Sequence, residues 1–296
     1  MRKGAKIQIV SLLLLVFTVL LAYGIYAQMQ GERPCVAVLM YHSVNSRGPQ
    51  DVSEKGLVIT PEGLKSQLAY LKNKGYRYIT VDEMEGLLLG QEEYRGTSIL
   101  VTFDDGYEDN YILAYPILKE LGINALINLV VKYPEQPDTE VSLKHLTWKQ
   151  IEEMTGSGLV EIGNHSYDSH IYGKAASGDM VPVLAARMAV DGKEETDQEF
   201  EKRVEGDFSR AESLIKQHTG TAPQVISYPF GWASDKSKAV ARRMGYGIQM
   251  GIKQGVNTTE GDLENIKRIT VRNDYTPAQL EGLITYYKGR HSIWPF

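Results

Sequence analysis

At 296 residues, with a formal net charge of -5 at pH 7, the chain is long enough for one large core or two modest ones. Charges of both signs are mixed throughout and no basic run or glycine–arginine tract occurs, which argues against nucleic-acid binding. The single cysteine, Cys35, excludes an internal disulfide, so the folded part must be held together by its core alone.

Taken in chain order, Arg2, Lys3 and Lys6 precede a nearly unbroken apolar stretch over 7–27. Its length is near the ~20 residues a helix needs to cross a bilayer, and the basic flank predicts that the remainder of the chain lies outside the cytoplasm. The stretch exceeds the usual signal-peptide core, which favours an uncleaved anchor. Cleavage after Ile25-Tyr26-Ala27, giving a secreted protein, is the alternative. Residues 1–30 are therefore read as a transmembrane or signal segment and 31–296 as one catalytic domain, expected to be monomeric, with 28–34 a polar linker.

Strand-type and helix-type segments then alternate. The run 36–40 reads as a strand, with Cys35 an ordinary residue at its edge. Thr60 and Pro61 open a helix as N-cap and first helical residue, Leu64, Leu68 and Leu71 stripe it, and Gly75 ends it. A strand over 78–81 precedes a helix marked by Met84, Leu87 and Leu88. The buried strand 98–103 is followed by a helical stretch at 112–121, a strand at 124–130, a helix at 147–154 and a strand at 159–162. A polar segment, 171–198, reads as a surface excursion, and Phe200, Val204, Phe208, Leu214 and Ile215 mark a helix that stops at Gly220. Strands near 225–229 and 267–271, with helices near 235–244 and 277–287, complete the pattern. Such alternation implies parallel βα units, an α/β sheet or barrel whose catalytic residues gather at the C-terminal strand ends.

Four clusters fall at those ends. Asp104 and Asp105, in Thr102-Phe103-Asp104-Asp105-Gly106-Tyr107, point to opposite sides of a strand, so one can bind a metal while the other handles a proton. Taken alone, the same pair is equally an acidic turn. His165 and His170 can converge on one point if their segment turns, and imidazoles with a carboxylate are a common ligand set for zinc-like metals. Tyr228-Pro229-Phe230-Gly231 is a stiff turn able to aim a backbone N–H into a cleft. His42, in Met40-Tyr41-His42-Ser43-Val44, can reach the same mouth as a general acid or serve as a structural histidine.

The Thr-Phe-Asp-Asp-Gly-Tyr run, the paired histidines and the Tyr-Pro-Phe-Gly turn, in this order, resemble the polysaccharide deacetylases of carbohydrate esterase family 4. The Met-Tyr-His-Ser-Val opening and the His-x4-His spacing look most like the poly-N-acetylglucosamine deacetylase branch. The resemblance implies an α/β fold, a deformed (β/α) barrel of about seven strands, and metal-dependent removal of acetyl groups from an N-acetylated polysaccharide. Carried over by motif, Asp104 is the base, and Asp105, His165 and His170 hold one divalent ion. Zinc is the first choice for that ion, and cobalt or nickel also suit the ligand set. The Phe230 N–H is the oxyanion donor, with Tyr107, Tyr228 and Pro229 beside the substrate. Two departures stand out. Ser227 occupies the place of an arginine that hydrogen-bonds the base, and no Asp-x-x-Asp-Trp motif is found to partner such an arginine. The late Leu-x-His motif that supplies the usual acid is also missing; Arg268-Ile269-Thr270-Val271 stands there, which leaves His42 as the substitute acid. A catalytically weak glycan-binding protein of the same fold and an O-acetyl esterase are the alternatives. A two-metal phosphoesterase lacks a spare ligand cluster.

Overall fold

The computed structural model describes residues 14–19 and 34–293, apart from 93, 95, 137–142, 191 and 260. Of the expected N-terminal anchor or signal segment, residues 1–30, only 14–19 are among the described residues. Among those that are described, no helix is long and apolar enough to cross a membrane.

The framework is a curled, mainly parallel sheet. Its strands are β1 (Cys35–Tyr41), β2 (Arg77–Tyr78), β3 (Thr97–Asp105), β4 (Ala125–Leu129), β5 (Val160–Asn164), β6 (Val225–Ser227), β7 (Ile248–Met250) and β8 (Ile269–Thr270). Parallel pairing runs β8–β1–β3–β4–β5–β6–β7, with the short β2 added to the start of β3. A parallel bridge between Met250 and Ile266 and the hydrogen bond from Arg268 N–H to the Lys253 carbonyl join β7 to the segment entering β8. Seven strands thus curl almost into a ring, with a thin seam at β7–β8. Asn257–Thr258 adds an antiparallel pair on β1.

The sequence explains these strands. β1 is buried along its whole length and β3 from its second residue on, the pattern of strands covered on both faces. Alternate residues Ala37, Leu39 and Tyr41 with Ile99, Val101 and Phe103 face the surrounding helices. Val36, Val38, Leu100 and Leu126 instead pack with Val81, Met84 and Leu87. Those last three belong to helix α2 (Val81–Leu88), which therefore packs against the other face of the sheet. The expected strand over 78–81 is cut short here. Thr80 accepts from the Glu83 N–H and Glu83 reaches back to Thr80, so a capping box starts the helix at Val81. Helix α1 (Pro61–Asn73) agrees with the expectation, with Thr60 as its cap and Leu64, Leu68 and Leu71 fully buried, each worth about 1.5–3 kcal/mol.

The other covering helices are α3 (Tyr115–Leu121), α4 (Trp148–Gly156), α5 (Asp197–Thr219), α6 (Asp235–Arg243) and α7 (Pro277–Ile293). A π-helical turn, Asn110–Ala114, leads into α3. The polar excursion at 171–198 forms two small hairpins but is not wholly superficial. Leu184 enters a third apolar cluster with Phe200, Val204 and Phe208 of α5, and Glu195 is paired with Arg203 at 2.7 Å. Cys35 opens β1, is buried and forms no disulfide.

Candidate metal centre and active site

Three non-glycine residues among those described have left-handed backbones: Asp105 (φ 74°), Ser166 (φ 79°) and Phe230 (φ 59°). They lie at the C-terminal ends of β3, β5 and β6, in the three clusters singled out from the sequence. Such conformations cost about 1–3 kcal/mol each and persist where surrounding structure enforces them. Gly106, next to Asp105, is enforced by space as well: its φ is +76°, and an added Cβ would lie 2.4 Å from Leu129 Cδ1.

The left-handed turn at Asp105 carries its carboxylate toward the histidine loop. Asp105 Oδ1 lies 3.2 Å from His170 Nε2 and 3.5 Å from His165 Nε2, and one ligand atom from each residue fits within 4.8 Å of the others. His165 is buried, and its Nδ1 sits 2.7 Å from the Ser227 carbonyl. A carbonyl only accepts, so Nδ1 carries the ring proton and Nε2 presents its lone pair toward Asp105. Asp105 Oδ1 is correspondingly buried with no hydrogen-bond donor. Burial would raise the Asp105 carboxyl; positive charge at this point, such as that of protonated imidazoles, would outweigh burial and hold it well below the usual range. A bare lone pair aimed at an undonated carboxylate oxygen suits a shared cation better than a hydrogen-bonded pair. The residues therefore fit a divalent metal with open positions for water and substrate.

Convergence of residues five apart requires a braced turn. Asn164 accepts from the Ser166 N–H at 2.7 Å and donates to the Tyr246 hydroxyl at 2.8 Å. Asp207, on α5, accepts from the Tyr167 and Asp168 N–H groups at 3.0 and 2.9 Å. Nothing at Asp207 marks it in the sequence; it is one acid in a charged helix.

Asp104 points the other way, into the barrel, and is 2% exposed. Its Oδ1 accepts from Arg268 Nη1 and Asn128 Nδ2, both at 2.7 Å. Arg268 is wholly buried and also donates through Nε to the Gly251 carbonyl at 2.7 Å. Burial alone would raise the Asp104 carboxyl; the Arg268 guanidinium reverses this and keeps it ionised well below the usual carboxylate range. The arginine missing from the third motif is thus replaced in space by one entering from the last strand. Both donors fall on Oδ1, which leaves Oδ2 for a water.

His42 comes directly after β1 and feels the charges of Asp105, Asp104, Arg268 and His165, which places it at the same mouth. Its Nδ1 is buried without a hydrogen-bond partner, and burial lowers its pKa. The backbone there is pinned: Asn110 Nδ2 donates to the His42 carbonyl at 2.8 Å, and Ser43 Oγ donates to Asp109 Oδ2 at 2.5 Å. Burial pushes the Asp109 carboxyl up to about 6.

Tyr107 lines a cavity of about 200 Å³ with Asp105, Val130, Tyr133, Leu143, His145 and His170. His145 stacks on Tyr133 with ring centroids 3.6 Å apart and tilts against Tyr107 at 5.0 Å. Pairing of 144–146 with 106–108 brings it there, a non-local event with no local sequence signal. Phe230 lies with its ring 4.3 Å from that of His170, so the turn borders the metal site. Tyr228 and Pro229, expected beside the substrate, turn their side chains away from solvent. Both are buried, Tyr228 packs with Phe200 and Phe208, and its hydroxyl donates to Gln249 at 2.7 Å.

The polysaccharide deacetylase family model matches residues 91–248, more than half of the chain, and the chain belongs to that family. The matched stretch holds Asp104, Asp105, His165, His170 and the 228–231 turn but neither His42 nor Arg268. Among curated proteins, the chain is 23% identical over 248 residues to the poly-beta-1,6-N-acetyl-D-glucosamine N-deacetylase of Escherichia coli K12, covering 80% of this chain and 36% of that protein. It thus spans about a third of that relative's length. It is 25% identical over 259 residues to the enzyme of the same name from Staphylococcus epidermidis, covering 83% of this chain and 82% of the relative. Among solved structures, IcaB from Ammonifex degensii superposes with a TM-score of 0.71 at 27% identity, over 85% of this chain and 97% of that one.

Proposed function

We propose that the protein is a metal-dependent hydrolase that removes N-acetyl groups from an N-acetylglucosamine-containing polysaccharide outside the cytoplasm, releasing acetate. The observation that carries this reading is the division of labour between neighbours: Asp105 faces two imidazoles while Asp104 turns to Arg268. Family membership and the names of the relatives supply the substrate class. Asp105, His165 and His170 would hold the ion, zinc first with cobalt or nickel as alternatives, which when bound polarises an acetamide carbonyl and acidifies water to a pKa of ~7.

The chain's own groups do the rest. Asp104, kept anionic by Arg268 and oriented by Asn128, takes a proton from the attacking water through its free Oδ2. The Phe230 N–H donates to the oxygen on which negative charge grows. His42, in its protonated form, delivers a proton to the departing sugar nitrogen; burial lowers its pKa, which makes that proton easier to give up, and its orphaned Nδ1 marks a ring not committed to a structural bond. The cavity beside Tyr107 and His145 has room for the acetyl group. The basic flank and apolar run at the N-terminus support an extracytoplasmic domain, anchored by or released from residues 1–30.

A profile of acetate release across defined glycans tests the reading. Release from N-acetylglucosamine oligomers, and less from O-acetylated glycans, is expected. Release from O-acetylated glycans alone would replace the amidase reading with an esterase, and metal-loaded protein releasing none would favour a binding protein.

A further inference from the structure

Beyond the metal site, the mouth carries aromatic surface that the proposed chemistry does not use. The Phe230 ring, 4.3 Å from His170 on one side, meets Tyr172 at 4.6 Å on the other. Tyr172 comes from the first hairpin of the polar excursion, Tyr172–Lys174 paired with Met180–Pro182, and is 50% exposed. Trp232, two residues beyond Phe230, is 61% exposed. Both rings are flanked by closely packed glycines. At Gly231 (φ +73°) an added Cβ would lie 2.4 Å from Ile252 Cγ1, and at Gly173 it would lie 2.5 Å from Met188 Sδ. The backbone is therefore packed closely under the two exposed rings.

We infer that Tyr172, Phe230 and Trp232 form a binding site for a sugar ring next to the one being deacetylated; this rests on the polysaccharide reading above. A pyranose presents an apolar C–H face that packs on an aromatic ring while its hydroxyls stay in water, which suits half-exposed Tyr and Trp. Three side chains are far too few for a protein partner, which needs roughly 800 Å² per side, but match one or two sugar rings. Continuity with the metal site through the Phe230–His170 contact points to the occupant, the next ring of a polymer seated at the metal. The excursion at 171–198 would thereby set how much of the chain the enzyme reads.

The test uses metal-loaded wild type, Tyr172→Ala, Trp232→Ala and Tyr172→Phe, with N-acetylglucosamine oligomers of two to six units and 4-nitrophenyl acetate. Each alanine variant should raise KM for the longer oligomers about tenfold, a typical size for one lost stacking contact. Dimer turnover should change less, aryl-ester hydrolysis should stay at the wild-type rate, and Tyr172→Phe should behave as wild type. Calorimetric affinity for the hexamer should fall by the same factor. Unchanged length dependence and unchanged hexamer affinity would overturn the site, as would variants that lose only binding to anionic phospholipid vesicles. Wild type that binds the hexamer through this rim yet releases no acetate would instead sink the deacetylase reading and leave the rim standing.

Discussion

Replacing Arg268 with methionine probes the part of the site that the motifs do not contain. The change keeps length and apolar stem but removes the guanidinium 2.7 Å from Asp104 and the bond to the Gly251 carbonyl. Asp104 would remain buried at 2% exposure with Asn128 as its one remaining partner there. Breaking a buried pair by removing one member costs about 3–5 kcal/mol, because the survivor is an uncompensated charge. The protein can reduce that cost by protonating Asp104, since burial alone raises its pKa once the arginine is gone. In wild type the depressed Asp104 pKa contributes stability above the unfolded carboxylate value of ~3.9, lost only as pH falls through the folded value. Wild-type activity should therefore show no limb from Asp104 between pH 5 and 8. In Arg268→Met an acid limb should enter that window, with acetate release falling more at pH 5.5 than at pH 8. Urea denaturation at pH 7.5 should show the stability loss, and Arg268→Lys, which keeps a charge, provides a milder folded variant for the same profile. An Arg268→Met protein with wild-type stability and an unshifted pH profile would refute the reasoning.

Three further outcomes are expected. Asp207→Asn removes one of the two oxygens that hold the Tyr167 and Asp168 N–H groups, and metal affinity should fall roughly 10–100-fold by equilibrium dialysis while the fold persists. His42→Ala should lower kcat by about 10²–10⁴ yet retain full metal content by elemental analysis; equal loss of metal would make His42 a ligand or a structural residue instead. For Asp109, a folded pKa of about 6 against ~3.9 unfolded means stability gained by protonation below pH 6 and lost as pH rises through it. On going from pH 7.5 to pH 5, wild type should gain about 1.4 kcal/mol relative to Asp109→Asn in chemical denaturation, and no relative change would count against the buried carboxyl.

The strands and the candidate ligand set were legible in the sequence because their signals are local. Asp104-Asp105-Gly106 closes an apolar run, and Thr60-Pro61 or Gly220 punctuate helices by chemistry that acts within a few residues. The strand expected over 78–81 gives way to a helix at Val81 because Thr80 and Glu83 form a capping box there. Arg268, Asn128, Asp207 and His145 were not legible as site residues. Each reaches the site through curling of the sheet or a long-range pairing, across separations such as the 164 residues between Asp104 and Arg268. The burial of Tyr228 was not legible either: its motif is local, but the left-handed Phe230 two residues on lies among the rings at the metal site while Tyr228 stays in the core.

The central claim is that adjacent aspartates divide the work, Asp105 on the metal and Asp104 on the proton. Metal stoichiometry and acetate release measured side by side on Asp104→Asn and Asp105→Ala test it most directly. Asp104→Asn should keep one ion per chain while losing about 10²-fold or more of its acetate release. Asp105→Ala should lose the ion itself. Full metal stoichiometry in Asp105→Ala, or wild-type release by Asp104→Asn, would contradict the account.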